Sequence, residues 1–355
     1  MKALILAGGK GTRLRPLTNT VPKHLLPVAN KPIIFYGLEQ IAEAGIKEIG
    51  IVVSPETRDD LKQALADGSR WGAKITYIMQ SQALGLAHAV KSARDFLGED
   101  VFLLFLGDNL IQDGVKGLVE EFNAHNPEGL IVLKEVADPR AFGVAEVEAS
   151  GKVIRVVEKP KEPKSNLAIV GAYIFTPLIH RLIDELKPSW RGEYEITDAI
   201  QKLLENGRDV RSHVLQGWWL DTGKKEDLLE ANRTLLDEYL KRSIRGNIDS
   251  SSQVSGRVEI MEGAGIENSS IRGPVIIAPN CRIVNSFVGP YTSIGENTVI
   301  ENSSLEYSLV LSDAQIRDIS CLTDSVIGRY AEIKHQKGDC NIARLFIGDF
   351  SRLEL

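Results

Sequence analysis

Cysteine is scarce in this chain of 355 residues, which carries only Cys281, Cys321 and Cys340. An odd number of cysteines at such wide spacing argues against a disulfide framework and against a structural zinc site. Long apolar runs are also lacking, because none approaches the roughly 20 residues that a membrane span needs. The amino terminus has no charged segment followed by the apolar core of a signal peptide. These absences predict a cytoplasmic protein with no membrane partner.

Acidic residues are missing before Glu39, although the whole chain has a formal net charge of −6 at pH 7. The same stretch carries the basic residues Lys2, Lys10, Arg13, Arg15, Lys23 and Lys31. The apolar run Ala3–Leu6 predicts a buried strand, and a glycine-rich loop follows it from Gly8. Glycine lets backbone N–H groups approach an anion closely, because no Cβ blocks the approach. A cationic loop on an acidic protein indicates a small polyanion, such as a triphosphate, rather than nucleic acid.

Several common functional motifs are absent. No string has the Walker A form, and the dinucleotide fingerprint G-x-G-x-x-G fails because Leu14 stands where its third glycine belongs. The histidines are scattered at His24, His88, His125, His180, His213 and His335. No Ser–His–Asp or Cys–His arrangement is indicated, so the chemistry does not rest on a nucleophilic side chain.

Strand and helix patterns alternate over residues 1–135. The predicted strands are Glu48–Val53, Lys74–Met79 and Val101–Leu106, and the predicted helices are Ile33–Ala44, 56–66 and Leu86–Phe96. This alternation predicts an α/β fold with a Rossmann-like, doubly wound and mostly parallel sheet. Ligands bind such sheets beyond the carboxyl ends of the strands, where the glycine-rich loop and Gly107-Asp108-Asn109 are both expected.

A period of 17 residues begins near Val254. The repeating apolar positions are Val254, Ile271, Val288, Leu305 and Leu322; Ile260, Ile277, Ile294 and Leu311; and Ile266, Ile283 and Ile300, followed by Ile316 and Ile333. Three inward apolar sets per turn predict a hexapeptide-type left-handed β-helix over residues 251–355. An irregular β-sandwich is the alternative, and it does not readily explain a single sustained period. Leu228–Arg242 predicts a connecting helix, so the first domain is expected to span residues 1–245.

Two carboxylates follow strand-like segments. Asp108 ends the run Val101–Leu106, and Asp221 ends the segment that begins at Trp218. Both are expected at the ligand edge of the sheet, where they are candidates to share one Mg²⁺. A turn or a helix cap is the alternative for either residue alone.

Glu158-Lys159-Pro160 follows the strand-like segment Val153–Val157. Lys159 is a candidate to hold a second phosphate, and Glu158 is a candidate to bind a sugar hydroxyl. A solvated charged turn is the alternative for this motif when it is considered by itself.

The motifs, taken in order, resemble those of the sugar-1-phosphate nucleotidyltransferases, and among them the glucose-1-phosphate thymidylyltransferases. They are Leu6–Pro16, Pro22-Lys23, Gln80 with Gly85-Leu86-Ala87, Leu106–Asn109, Gly143-Val144, the E-K-P-K-E-P-K-S-N string at 158–166, the R-G-E-Y-E-I-T-D string at 191–198, and Trp219–Gly223. The resemblance makes residues 1–245 a sugar-phosphate nucleotidyltransferase domain. The added β-helix resembles the long form of the family, whereas the short form lacks it and has Gln in place of His88.

The resemblance implies a role for each motif. The implied ligands of dTTP are Leu6, Gly8, Gly9, Gly11, Thr12, Arg13, Gln80, Gly85 and Asp108, with Gln80 pairing to the edge of the base. The implied ligands of glucose 1-phosphate are Gly143, Glu158, Lys159, Ile169, Tyr173 and Arg191. Mg²⁺ is implied to bind Asp108 and Asp221, and the implied catalytic residues are Arg13, Lys23, Asp108 and Lys159.

The implied reaction joins dTTP and glucose 1-phosphate into dTDP-glucose and pyrophosphate. A sugar phosphate is already a competent nucleophile, so catalysis reduces to alignment and charge neutralisation. One alternative keeps this chemistry with UTP, because thymine and uracil offer the same hydrogen bonds. A second alternative adds a sugar acetyltransferase in the β-helix, and a third is a non-catalytic assembly subunit. The β-helix is expected to assemble a homo-oligomer.

Overall fold

Residues 1–335 and 345–354 are described by the computed structural model. By their internal contacts they divide into two units. We call Met1–Lys10 with Ile34–Asp221 the sheet unit, and Gly11–Ile33 with Thr222–Leu355 the coil unit. These units differ in their boundaries from the predicted domains, 1–245 and 251–355, which stay a prediction.

Strands and helices alternate in the first 221 residues. The strands are β1 (Lys2–Leu6), β2 (Pro27–Val28), β3 (Lys31–Pro32), β4 (Glu48–Val53), β5 (Lys74–Met79), β6 (Phe102–Leu106), β7 (Asn109–Ile111), β8 (Gly129–Glu135), β9 (Gly143–Val147), β10 (Val153–Glu158), β11 (Leu167–Phe175), β12 (Val210–Val214) and β13 (Trp219–Asp221). The helices are α1 (Ile33–Glu43), α2 (Arg58–Leu65), α3 (Leu86–Ser92), α4 (Arg94–Leu97), α5 (Lys116–His125), α6 (Leu178–Asp184) and α7 (Ile196–Glu205). The predicted strands at 48–53 and 74–79 are confirmed. The predicted helix 86–96 is broken at Ala93, which divides it into α3 and α4.

The sheet unit is built on one mixed sheet with the strand order β10-β9-β11-β6-β1-β4-β5, and β8 pairs with β11 and β12. The run β6-β1-β4-β5 is parallel, because each connection returns through a helix before the next strand begins. Strand β11 runs antiparallel to its neighbours β6, β8 and β9. The predicted α/β class is confirmed, with its parallel part on the amino-terminal side.

The parallel strands end at a common edge. Leu6 of β1 lies beside Val52 of β4 and Leu106 of β6 in the sheet register. Strand β6 is buried through Phe102–Phe105, which explains its continuous apolar sequence. The residues that follow these strands therefore emerge together at the carboxyl edge, as the sequence predicts.

The coil unit contains the helix α8 (Lys225–Tyr239) and three stacks of short strands. In chain order the strands are β14 (Ser243–Ile244), β15 (Asn247–Ile248), β16 (Gln253–Ser255), β17 (Val258–Ile260), β18 (Gly265–Glu267), β19 (Ser270–Arg272), β20 (Val275–Ile277), β21 (Arg282–Val284), β22 (Phe287–Val288), β23 (Thr292–Ile294), β24 (Val299–Glu301), β25 (Ser304–Glu306), β26 (Leu309–Val310), β27 (Gln315–Arg317), β28 (Leu322–Thr323), β29 (Val326–Ile327), β30 (Glu332–Lys334), β31 (Phe346–Ile347) and β32 (Arg352–Glu354). All pairs within the stacks are parallel. Among the described residues, each of the first five coils contributes one strand to each stack, whereas the last strands, β29–β32, belong to two of the stacks only. The predicted β-helix is confirmed, whereas its hand stays a prediction.

The register of the stacks follows the predicted period with one exception. Val254, Ile271 and Val288 are direct partners, as predicted. Ile294, however, pairs with Val310 rather than with the predicted Leu311, because this coil is one residue shorter. Both residues are buried, so the sequence alone does not reveal which one faces the interior of the coil.

The segment Gly11–Ile33 is held in the coil unit through α8. Asn232 of α8 accepts the backbone N–H of Ala29 at 2.9 Å and the hydroxyl of Ser293 at 2.6 Å, and donates to the carbonyl of Tyr291 at 3.1 Å. Asn30 donates its side-chain amide to the carbonyl of Ile294 at 2.8 Å. Asn232 is therefore a buried polar link between this early segment, α8 and the coils.

The described residues also bear on membrane-spanning helices and on the cysteines. No helix among them is long and apolar enough to cross a membrane. Cys281 and Cys321 are free thiols, and Cys340 lies outside the described residues.

Candidate active site

The first group of candidate residues lies at the carboxyl edge of the sheet unit. Gly8 and Gln80 line a cavity of about 390 Å³ together with Lys10, Ser54, Glu56 and residues 81–84. Gln80 follows β5 and is buried, and Leu6 ends β1. The structure therefore brings three of the implied nucleotide ligands to one edge, while their roles stay predictions.

Charges at the mouth of this cavity are partly paired. The ammonium of Lys10 lies 3.1 Å from a carboxylate oxygen of Glu56. A hydrogen bond from Ser54, supported by the Glu56 backbone and Lys10, lowers the pKa of Glu56 to about 2. Glu56 therefore stays ionised and partly offsets the charge of Lys10.

Gly85 has a backbone that other residues do not readily adopt. Its φ is +101°, and a Cβ placed there would lie 2.5 Å from the carbonyl oxygen of Tyr194. The Tyr194 carbonyl also accepts the N–H of Ala87 at 3.1 Å, and the Leu84 carbonyl accepts the N–H of Tyr194 at 2.8 Å. Only glycine allows the loop before α3 to pack this closely against the segment around Tyr194.

The second group, described by itself, lies in the coil unit. Gly11 has a φ of +61° and packs closely against Thr18 and Lys23. The Thr18 hydroxyl donates to the Gly11 carbonyl at 2.7 Å, which closes the segment on itself. Thr12 and Arg13 form an exposed turn just after it. The structure thus brings Lys23 beside Gly11. Gly9, which belongs to the sheet unit, is exposed.

The third group is the pair of aspartates in the sheet unit. Strands β7 and β13 form a small antiparallel sheet in which Asp221 is the direct partner of Asn109, the residue after Asp108. The Asn109 side chain donates to Asp108 at 3.1 Å and accepts the indole N–H of Trp219 at 2.6 Å. Asp221 therefore ends one strand of this pair, and Asp108 directly precedes the other. Groups of three or more His, Cys, Asp or Glu side chains that could hold a metal are absent from the described residues.

The fourth group surrounds Glu158, also in the sheet unit. A Cβ on Gly143 would lie 2.7 Å from Thr197 and 3.3 Å from a carboxylate oxygen of Glu158. Thr197 donates to Glu158 at 3.1 Å. The guanidinium of Arg191 lies 3.5 Å from Glu158, and the ammonium of Lys159 lies 3.8 Å from it. All of these residues except Thr197 were predicted as sugar-phosphate ligands.

Two other predicted members of this group are buried beside it. A Cβ placed on Gly143 would lie 3.2 Å from the side chain of Ile169. Tyr173 is almost completely buried, and its burial, together with the negative charge of Glu158, raises the pKa of its hydroxyl. The predicted sugar-phosphate residues are thus gathered in one place, while their roles stay predictions.

The electrostatics of this group centre on two carboxylates. Burial, followed by the charge of Glu195, raises the pKa of Glu158, while Lys159, Thr197 and Arg191 act in the opposite direction. Glu195 is nearly fully buried and accepts hydrogen bonds from Ser189 at 2.8 Å and from Arg191 at 3.3 Å. Arg191 therefore bridges the buried Glu195 and the half-buried Glu158.

The sequence predicts no role for Glu195 or Thr197. Both belong to the R-G-E-Y-E-I-T-D string, and Glu195 is the residue before α7. A carboxylate that directly precedes the amphipathic helix Ile196–Glu205 is a signal that could have indicated a buried acid. Ser54 and Glu56, which line the cavity beside Gly8, were also missed, and no motif marks them.

Comparison with known proteins agrees with this arrangement. Residues 2–238 match the nucleotidyl transferase family, and residues 271–342 match the GMPPB C-terminal domain. The first match covers more than half of the chain. The chain therefore belongs to the nucleotidyl transferase family.

Relatives within this family match from end to end. The chain is 49% identical over its whole length to a glucose-1-phosphate thymidylyltransferase of Streptomyces griseus, of which 99% is covered. It is 47% identical to the glucose-1-phosphate thymidylyltransferase of Streptomyces antibioticus, again over 100% of this chain and 99% of the relative. A crystal structure described as a glucose-1-phosphate thymidylyltransferase of Bacillus anthracis with sucrose aligns with a TM-score of 0.62 and 40% identity, covering 65% of this chain and 94% of that one. Within its family, the chain is a member of the glucose-1-phosphate thymidylyltransferases.

Proposed function

We propose that this chain transfers dTMP from dTTP to glucose 1-phosphate and releases pyrophosphate. The observation that carries the proposal is the pairing of Asp221 with Asn109 beside Asp108, at the edge that also bears Leu6 and Gln80. Asp108 follows β6 at the same edge of the sheet, and we take the cavity lined by Gly8 and Gln80 as the candidate site for the nucleotide base. The full-length similarity to thymidylyltransferases supports the same conclusion.

The donor set suits a magnesium ion. Mg²⁺ prefers oxygen ligands and commonly uses one or two carboxylates together with substrate phosphates and water. We assign Asp108 and Asp221 as its protein ligands, because Asp221 pairs with Asn109, the residue after Asp108. When bound there, Mg²⁺ would neutralise charge on the triphosphate.

The other candidate site residues orient the two substrates. Backbone N–H groups of Gly8, Gly9 and Gly11 and the charges of Arg13 and Lys23 hold the triphosphate. Lys159 and Arg191 hold the phosphate of the sugar, and Glu158 accepts a sugar hydroxyl. The surface for dTTP also includes Thr12 and Gly85. The surface for glucose 1-phosphate also includes Gly143, Ile169 and Tyr173.

The reaction needs no proton transfer. A phosphate oxygen of glucose 1-phosphate forms a bond to the α-phosphorus of dTTP, while the bond from that phosphorus to the oxygen bridging to the β-phosphorus breaks. The electron pair of the broken bond leaves with pyrophosphate. Alignment of the two anions and neutralisation of their charge are then the main contributions to catalysis.

Pyrophosphate release is the assay that tests this proposal. The full chain is incubated with Mg²⁺, glucose 1-phosphate and each of dTTP, UTP, dCTP, ATP and GTP in turn. We expect the highest kcat/KM with dTTP and measurable turnover with UTP, because the 5-methyl group of thymine is worth only about 1 kcal/mol of burial. Turnover with ATP or GTP that exceeds turnover with dTTP would contradict the proposal.

The homo-oligomer and the role of the coils are a separate proposal. We infer that the coils assemble several copies of the chain, as the sequence predicts. Light scattering of the full chain checks this directly, since a mass of one chain would contradict it. Acetyl transfer from acetyl-CoA to a sugar substrate would instead favour an acetyltransferase in the coils.

A further inference from the structure

The side-chain amide of Gln80 is held in one orientation. Its nitrogen donates to the carbonyl of Gly85 at 3.2 Å and contacts Nδ1 of His88 at 3.0 Å. A primary amide nitrogen has two hydrogens, so these two partners use both donors. The amide oxygen is left on the side of Gly8, where a Cβ would lie 3.4 Å from it.

His88 is suited to accept this hydrogen bond. Burial, followed by the charge of Lys91, lowers the pKa of His88, so the ring is neutral near pH 7. A neutral imidazole that carries its proton on Nε2 has an acceptor lone pair on Nδ1. The ring is also packed against Tyr194, with ring centres 6.3 Å apart.

The opposite orientation of the amide would be unfavourable. If the Gln80 side chain turned over, its oxygen would face the Gly85 carbonyl and the Nδ1 lone pair of His88, and both are acceptors. Its nitrogen would then face the cavity beside Gly8. An amide left with two acceptors opposite its oxygen loses both hydrogen bonds. The carbonyl of Gly85 and the ring of His88 thus both favour the same orientation of the Gln80 amide.

We propose that His88 is a positioning residue that determines nucleobase specificity, because it fixes the Gln80 amide with its oxygen toward the base. This inference rests on the proposed function, in which Gln80 pairs with the edge of the base. Thymine and uracil carry a hydrogen on N3 and need an acceptor, whereas N3 of cytosine is itself an acceptor. A fixed amide oxygen therefore selects the first two bases and rejects the third.

The test compares three variants of the full chain. His88→Leu removes the acceptor, and His88→Gln supplies a carbonyl oxygen that can accept the same hydrogen bond. His125→Leu is the matched control, because His125 is an exposed residue of α5. For each variant, kcat/KM is measured with dTTP and with dCTP at saturating glucose 1-phosphate, and KM for glucose 1-phosphate is measured with dTTP.

We expect His88→Leu to lower the ratio of kcat/KM for dTTP to that for dCTP by roughly tenfold or more, while KM for glucose 1-phosphate stays within about twofold. His88→Gln should restore most of the ratio, and His125→Leu should leave it unchanged. An unchanged ratio in His88→Leu would overturn the proposal, as would a His88→Gln variant that behaves like His88→Leu.

Two outcomes separate this inference from the proposed function. A wild-type chain that shows no preference for dTTP over ATP or GTP refutes the proposed function itself. If His88→Leu is too slow to assay, binding isotherms of dTTP and dCTP decide the question. A retained preference for dTTP in those isotherms would overturn the role of His88, and a lost preference would support it.

Discussion

The sheet unit and the coil unit present their residues in opposite ways. In the sheet unit, Leu6, Gln80 and Asp108 are far apart in the sequence, yet each follows or ends a strand at one edge. In the coil unit, a position returns onto its equivalent after 16 to 20 residues, most often after 17, as Ile266 does onto Ile283. Strand ends thus supply varied side chains for chemistry, whereas stacked coils supply a regular face that can hold another segment.

The segment Gly11–Ile33 belongs to the coil unit although the residues on both sides of it belong to the sheet unit. It lies early in the chain, but its contacts place it in the coil unit, next to Asn232 and the strand that ends at Ile294. Arg13 and Lys23 therefore belong to the coil unit. The boundary between the two units therefore falls within the glycine-rich loop, between Lys10 and Gly11.

The largest effect is expected from the sheet unit. Asp221→Asn keeps the size of the side chain but removes a carboxylate from the pair with Asp108, so we expect a loss of kcat on the order of a hundredfold or more. Steady-state turnover with dTTP and glucose 1-phosphate measures it. Asp95→Asn is the matched control, because Asp95 is exposed on α4.

Near-normal turnover in Asp221→Asn would refute the assignment of the metal ligands. A melting curve like that of the unchanged chain is expected as well, since the substitution retains hydrogen-bonding capacity. Loss of turnover together with loss of folding would leave Asp108→Asn as the deciding variant.

A second effect concerns the polar link in the coil unit. Asn232→Ala removes the partner of Ala29, Ser293 and Tyr291, so we expect the free energy of unfolding to fall by about 2 kcal/mol. We also expect KM for dTTP to rise more than KM for glucose 1-phosphate. Denaturant unfolding and steady-state kinetics measure the two effects.

The control for Asn232 is Asn123→Ala, an exposed asparagine of α5. It should change the free energy of unfolding by no more than about 0.5 kcal/mol. Equal effects of the two variants on stability would show that Asn232 does not link the segment to the coils.

A smaller effect depends on pH and belongs to the sheet unit. His180 packs on Phe102 with ring centres 5.6 Å apart, and burial, followed by the charge of Arg94, lowers its pKa. The unfolded chain therefore binds the proton first as pH falls below about 6.5, so the folded state loses stability in that range. One group contributes at most about 1.4 kcal/mol per pH unit.

His180→Leu should reduce the slope of unfolding free energy against pH between about pH 6.5 and 5. Part of the slope should remain, because the lowered pKa of His88 acts in the same direction. His125→Leu, on an exposed position of α5, should leave the slope unchanged. A slope that is the same in all three chains would contradict the role of His180.

Much of the fold could be predicted from the sequence, because its signals are local. The apolar run that became β6 and the 17-residue period are patterns that one sequence displays. The choice of Val310 over Leu311 could not be predicted, since both are apolar and the coil shortens by one residue there. The hydrogen bond between Gln80 and His88 depends on the turn at Gly85, which periodicity does not describe.

The most direct test of the account compares the two phosphate-binding basic residues, Arg13 of the coil unit and Lys159 of the sheet unit. Binding isotherms are measured for dTTP and for glucose 1-phosphate, each with Arg13→Ala and with Lys159→Ala. Losing a charged hydrogen bond should weaken binding by about tenfold or more. We predict that Arg13→Ala weakens dTTP and spares glucose 1-phosphate, and that Lys159→Ala does the reverse. The opposite pairing, or equal losses for both ligands in both variants, would contradict the account.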